Sequence, residues 1–248
     1  MEKKDKKRII KKYIFISFIT FAFLITILLT LKYNVEGEKN MPFELSKITI
    51  RSTLDATNNE SENLWDINLS QNNDVVIYIN KNNNVQNDEK IKSVRLTNKY
   101  ANNTPIKGNV KMYLPTSNEK NKTYLNHAED CLAADVEYLG NTFNNYERRE
   151  IAEDGGQLAF RISNEDIATY ISNEDTEVAY NKSLFEKAGV SEEEIKFSII
   201  FDLVIETTKN NKYKGTINLE LPVGNFENSG IVSKEITDFS NVIFKIEK

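Results

Sequence analysis

Among the 248 residues, the one His and the one Cys are the side chains whose type and spacing suggest nucleophilic chemistry. His127 and Cys131 stand at i and i+4 in Asn126-His127-Ala128-Glu129-Asp130-Cys131-Leu132. On a helix that spacing shares one face, and an imidazole beside a thiol favours the reactive thiolate. Two features weigh against it. Catalytic Cys and His residues ordinarily come from separate elements, with a third group orienting the imidazole. Glu129 and Asp130 would also disfavour a neighbouring thiolate by like-charge repulsion. A His beside a half-buried Cys is the plainer reading.

Other chemistries have less support. One Cys excludes an intramolecular disulfide, and one Cys with one His cannot complete a four-ligand zinc site. Acidic residues are too numerous for one pair to stand out as an acid/base couple. The nine Gly residues contain a single adjacent pair, Gly155-Gly156, which reads as a turn before a strand and not as a phosphate loop. The segment Ile162-Ser163-Asn164-Glu165-Asp166 recurs as Ile171-Ser172-Asn173-Glu174-Asp175. A calcium loop would need D-x-[DN]-x-[DN]-G spacing, so two Ser-initiated turns or helix caps are expected instead.

The elements that would position any of these residues begin with a membrane anchor. Residues 13–31 read YIFISFITFAFLITILLTL, without charge, Pro or Gly. As a helix they span roughly 28 Å, close to a bilayer core. The preceding tail carries seven Lys and Arg against Glu2 and Asp5, a flank of +5 that holds the N-terminus in the cytoplasm. A cleaved signal peptide would have a shorter apolar core and a small-residue cleavage site, and neither is present. A lipoprotein signal would place its Cys directly after the apolar run, whereas the Cys is at 131. An uncleaved signal anchor is expected. Ala22, Thr26 and Thr30 have small-xxx-small spacing, but Thr is simply tolerated in spanning helices.

Splitting the chain at the anchor changes the meaning of its net charge of −5. Residues 33–248 hold 24 Lys and Arg against 35 Asp and Glu, or −11. An acidic exterior argues against nucleic-acid binding through a basic face. The expected division is a basic tail at 1–12, the anchor at 13–31, a linker at 32–41 and an extracytoplasmic domain at 42–248.

That domain reads as all-β. Ile195, Phe197, Ile199, Phe201, Leu203 and Ile205 alternate with mostly polar residues, and Tyr213, Gly215, Ile217, Leu219 and Leu221 resume the pattern. The two runs form a hairpin. Because both apolar sets are odd-numbered, paired residues must sum to an even number. Pairing Leu203 with Leu219 would set Asp202 against Glu220. Pairing it with Ile217 sets Glu206 against Lys214 and leaves a three-residue Lys209-Asn210-Asn211 loop, so that register is favoured. A second hairpin is read at 64–80, with Trp65, Ile67 and Leu69 before a Ser70–Asp74 turn and Val75, Ile77 and Ile79 after it. Further strands fit 48–54, 92–97, 106–114, 158–162 and 242–246. About nine short strands argue for an antiparallel sandwich of two sheets. A capping box at Ser183 and Glu186, closed by Gly189, and a second cap at Ser191 predict short helical turns at 183–194.

The C-terminal stretch Ser183-Leu184-Phe185-Glu186-Lys187-Ala188-Gly189, then Phe197–Glu206, Lys212-Tyr213-Lys214-Gly215, Leu219-Glu220-Leu221-Pro222-Val223-Gly224-Asn225 and Glu235-Ile236-Thr237-Asp238-Phe239-Ser240 resembles a group of single-pass membrane proteins of low-GC Gram-positive bacteria. Met41-Pro42-Phe43-Glu44-Leu45-Ser46-Lys47-Ile48 is similar too, and 26 Lys against 6 Arg with 32 Asn fits A- and T-rich coding. The resemblance implies topology and an extracytoplasmic β domain, and brings no activity, cofactor or catalytic residue. The expectation is therefore a non-enzymatic binding or structural module at the cell envelope. Its partners would be the membrane and another envelope protein, with no nucleic acid and no cofactor or metal. Two alternatives stand beside it: a Cys-dependent transpeptidase or hydrolase using Cys131 and His127, although the T-L-x-T-C strand of such transpeptidases is absent, and a cell-wall carbohydrate-binding module.

Overall fold

The apolar run at 13–31 forms a helix that continues past both of its ends. The computed structural model describes residues 2–59, 61–114, 129–140, 150–175 and 178–247, with side chains described from residue 11 onward apart from Glu150. In it α1 runs Glu2–Glu36, and its segment Lys11–Glu36 is long and apolar enough to cross a membrane. The hydroxyls of Thr20, Thr26 and Thr30 donate to the carbonyls of Ile16, Ala22 and Thr26 at 3.0, 2.9 and 2.9 Å. These bonds satisfy the hydroxyls within the helix. Gly37, at φ 70°, ends it, with its N–H on the Tyr33 carbonyl. The chain divides into two compact units, Met1–Asn40 and Met41–Lys248.

The second unit is mostly antiparallel β, in two sheets. Its strands are β1 (Phe43–Asn58), β2 (Trp65–Lys81), β3 (Ile91–Asn102), β4 (Asn109–Tyr113), β5 (Val136–Gly140), β6 (Glu150–Ile151), β7 (Gly155–Ser172), β8 (Phe197–Thr207), β9 (Lys212–Leu221), β10 (Ile231–Ile236) and β11 (Lys245–Ile246). The first sheet has the order β10-β1-β2-β7-β4 and the second β11-β9-β8-β3-β5-β6. The sheets face each other across one apolar core. Ile50, Ile77 and Phe160 come from the first, Val94, Phe201 and Ile217 from the second. Phe160 and Phe201 meet edge to face across it, with centroids 5.7 Å apart.

A second apolar cluster lies where β1, β2 and β7 run on. There Leu54, Ile67, Leu69 and Ile167 are covered by Leu184, Phe185, Val190, Ile195 and Phe226. Three short helices deliver that cover: α2 (Lys182–Ala188), α3 (Glu192–Ile195) and α4 (Phe226–Ser229). The expected cap at Ser183 gives way to Asn181, whose side-chain oxygen accepts the Ser183 N–H at 2.9 Å. Gly189, at φ 64°, closes α2 as expected, and the Ser191 N–H donates to Glu194 at 2.8 Å. Asn181→Ala is expected to lower unfolding free energy by about 1 kcal/mol in urea titrations. Ser183→Ala should cost clearly less, and the reverse ranking would put the cap back at Ser183.

The 195–221 hairpin forms with the expected parity but a displaced register. Phe201 pairs with Ile217 and Leu203 with Gly215, so Glu206 faces Lys212 and not Lys214. The loop is again three residues, displaced by one to Thr208-Lys209-Asn210, with Thr207 N–H on the Asn211 carbonyl and Asn210 at φ 63°. Third-strand contacts decide it. Glu206 has its cation in Lys92 of β3 at 2.7 Å, and Asp202 is held by Thr216 at 2.6 Å and by Asn98 at 2.8 Å. Gly215 clears the Phe244 ring, which a Cβ would approach to 3.0 Å.

The hairpin expected at 64–80 is absent. Trp65–Lys81 is one continuous 17-residue strand, because its polar centre is buried and hydrogen-bonded and does not turn in solvent. The strand expected at 106–114 shortens to Asn109–Tyr113, since Gly108 sits at φ 96° and Ile106 is 79% exposed. The one at 242–246 shortens to Lys245–Ile246, with Val242 in a turn on the Phe239 carbonyl. Strands β5, β6 and β10 were not expected. In the acidic echo, Ile162-Ser163-Asn164 lies inside β7, so no turn begins there. At the second copy Ser172 Oγ accepts the Glu174 N–H at 3.0 Å, a Ser-initiated turn.

Candidate functional site

Cys131 lies beside the edge formed by β4. Its N–H and its thiol both reach the Met112 carbonyl, at 2.9 and 3.3 Å. Asp130 accepts the N–H groups of Met112 at 3.0 Å and Leu132 at 2.9 Å, so its carboxylate is occupied in holding this segment to β4. His127 falls outside the described residues, and the i, i+4 pairing with it. Among the described residues, no three His, Cys, Asp or Glu side chains converge as a metal site would require.

An open cleft of about 540 Å³ adjoins this segment, lined by Lys99, Tyr100, Thr104, Pro105, Asp130 and Leu132 among others. Lys99 reaches in with its ammonium on the carbonyls of Leu96, at 3.2 Å, and Ala134. Burial pulls its pKa below the usual lysine value, while Cys131 and Asp135 act in the opposite sense. The cleft thus offers one cation and an apolar wall of Pro105, Val110 and Leu132. A second cleft of about 360 Å³ gathers Asn102, Lys196, Ser198, Asn218 and Glu220 around β3, β8 and β9 of the second sheet. It supplies polar donors and acceptors, but its aromatic residue, Phe197, is 4% exposed and turned into the core. A sugar ring would find hydrogen bonds there without an aromatic face to stack on.

The outer face of the first sheet carries its tightest charged cluster. Glu165 on β7 accepts the Tyr113 hydroxyl at 2.7 Å and pairs with Lys111 at 2.7 Å, both from β4. Next to it Arg161 grips Asp74 of β2 with two hydrogen bonds, at 2.7 and 3.0 Å. These contacts clamp β4 to β7 and β7 to β2. Burial, and secondarily the bond to the Glu165 carboxylate, push the Tyr113 phenol well above its ordinary range. A raised acid pKa means the folded state holds the proton more tightly than the unfolded chain does. That stability is complete below about pH 10 and declines as pH rises further. Unfolding free energy should fall more steeply above about pH 10 in the parent than in Tyr113→Phe, the difference separating Tyr113 from the other tyrosines. Identical slopes would show that this phenol is not held as described.

The feature that reading the chain missed is a buried polar belt across the first sheet: Ser52, Gln71, Asn73 and Asn164 toward the core, with Asn72 and Ser163 on the opposite face. Ser163 donates to Asn72 at 2.6 Å, and Asn72 donates to Asp55 at 3.2 Å. A signal for it exists in the sequence. Trp65, Ile67 and Leu69 before the polar stretch and Val75, Ile77 and Ile79 after it all take odd numbers, as one unbroken strand requires.

Comparison with protein-family models, with curated proteins and with solved structures finds no match to this chain.

Proposed function

We propose that this chain is a single-pass membrane protein with residues 1–12 in the cytoplasm, an uncleaved anchor at 13–31 and a β domain at 42–248 outside, where it works as a binding or structural module of the cell envelope. The observation that carries this is the pairing of one helix long and apolar enough to cross a membrane with a second unit that builds its own two-sheet core. The +5 flank supports the orientation, and the −11 exterior supports a protein partner in the envelope over a nucleic acid. Tags at each end, with protease added to intact and to lysed cells, test the orientation. The C-terminal tag should be lost from intact cells while the N-terminal tag survives until lysis; the opposite pattern sinks the proposal.

The module acts by binding and not by catalysis. A chain carrying Cys131→Ala and His127→Ala should fully restore a deletion strain. If it folds yet fails to restore it, the assignment passes to a Cys-dependent transpeptidase or hydrolase.

A further inference from the structure

Two rungs of the first sheet interrupt its apolar inner face. In one, Ser52, Asn73 and Ile162 lie side by side on β1, β2 and β7; in the next, Leu54, Gln71 and Asn164 do. The orientation of each side-chain amide is set by a backbone carbonyl. Asn73 donates through Nδ2 to the Ile162 carbonyl at 3.0 Å, which leaves its Oδ1 to accept Ser52 Oγ at 2.6 Å and Gln71 Nε2 at 2.5 Å. Asn164 donates through Nδ2 to the Lys107 carbonyl at 3.0 Å. Turning any of these amides end for end would set two acceptors against each other.

The consequence falls on Gln71 Oε1 and Asn164 Oδ1. Both residues are 0% exposed, and neither oxygen finds a donor among the described residues. They belong to directly opposed positions on adjacent strands, so both side chains rise from the same face. We propose that a single internal water is bound between them, donating one hydrogen to each oxygen. Two buried acceptors need two donated hydrogens, and water carries two. At this point the ladder between β2 and β7 slips between Leu69 and Gln71, and Asp166 takes φ 56°. Gly108 stands against Asn164, where a Cβ would meet Oδ1 at 2.1 Å. A hard cation is the poorer occupant. Two uncharged amide oxygens fall short of the six or more ligands, carboxylates among them, that such ions gather.

A high-resolution crystal structure of the full chain tests this, with thallium(I)-soaked crystals beside it. One density peak within about 2.6–3.2 Å of both oxygens, without anomalous signal from thallium, is expected. A thallium peak between the two oxygens would replace the water with a monovalent cation. Two oxygens bonded to protein donors with no peak between them would overturn the site altogether. In solution, a long-lived water should give exchange-independent cross-relaxation to the Gln71 side-chain amide, and none would be seen if the site does not exist.

Discussion

Phe160→Ala is expected to remove about 3–5 kcal/mol of unfolding free energy, a large share of the roughly 5–15 kcal/mol that keeps a typical domain folded. Phe160 is 1% exposed and stands on β7 of the first sheet, where its ring meets Phe201 of the second edge to face. Truncation loses the transfer energy of the ring and opens a cavity between two sheets that are each stiffened by hydrogen-bonded neighbours and so cannot collapse to fill it. Phe201→Ala should cost a similar amount. The double variant should lose less than the sum of the two, by about 0.5–1.5 kcal/mol, because the ring pair can be removed only once. Ile106→Ala, at a residue 79% exposed, serves as the control and should change stability by less than about 0.5 kcal/mol. A loss below about 1 kcal/mol for Phe160→Ala in urea titrations of the full chain would mean that the two sheets do not share a packed core.

The second large effect is expected from one methyl group. Gly230 closes α4 at φ 66°, donates its N–H to the Phe226 carbonyl at 2.8 Å and accepts the Leu54 N–H at 2.7 Å. A Cβ there would stand 1.8 Å from the Tyr180 carbonyl oxygen and 2.8 Å from the Tyr180 carbonyl carbon. The left-handed backbone alone costs a non-Gly residue about 1–2 kcal/mol. The rest comes from the collision with main chain, which must push away the segment that carries the Asn181 cap of α2. A total of about 3 kcal/mol or more is expected. Gly189→Ala isolates the backbone component. Gly189 has nearly the same φ of 64°, yet a Cβ there meets nothing within 4 Å, so it should cost only about 1–2 kcal/mol. Equal thermal shifts for the two variants would refute the contact with Tyr180.

Much of the fold was legible where apolar alternation is strong and one face is buried. The 195–221 hairpin followed from parity alone, since a one-residue slip would have turned Phe201 and Leu203 outward. Its final register was not legible, because the deciding partners, Lys92 and Asn98, sit on a strand some hundred residues away in the chain. β10 was invisible for a physical reason: as an edge strand it exposes Ile231, Ser233, Lys234 and Glu235, so burial imprints no period on it. The polar stretch Ser70–Asp74 was misread because residues that favour turns in water are the same ones that can be satisfied inside a sheet. Odd numbering on both sides of the stretch fits one strand without distinguishing it, since the 195–221 hairpin keeps the same parity across its loop. Of the candidate site, the sequence pointed to the Cys131 segment but not to its neighbours. Lys99 and the walls of the cleft come from β3 and the loop before β4, and nothing local in the chain links them to Cys131.

The place of β1 has a mechanical consequence. It is the first strand after the apolar helix, and it lies inside the first sheet with β2 on one side and β10 on the other. Tension applied along β1 from its N-terminal end therefore acts on a strand bonded on both flanks. Such a load is a shear, shared at once by the rungs to β2 from Phe43 to Asn58 and by those to β10 from Ile48 to Thr53, and not a peeling force that breaks one rung at a time. The two-residue β11 at the far end of the chain is held to β9 at Lys245 and Ile246, with one further bond from the Glu247 N–H to the Lys212 carbonyl at 2.8 Å, and would yield first if the C-terminus were pulled.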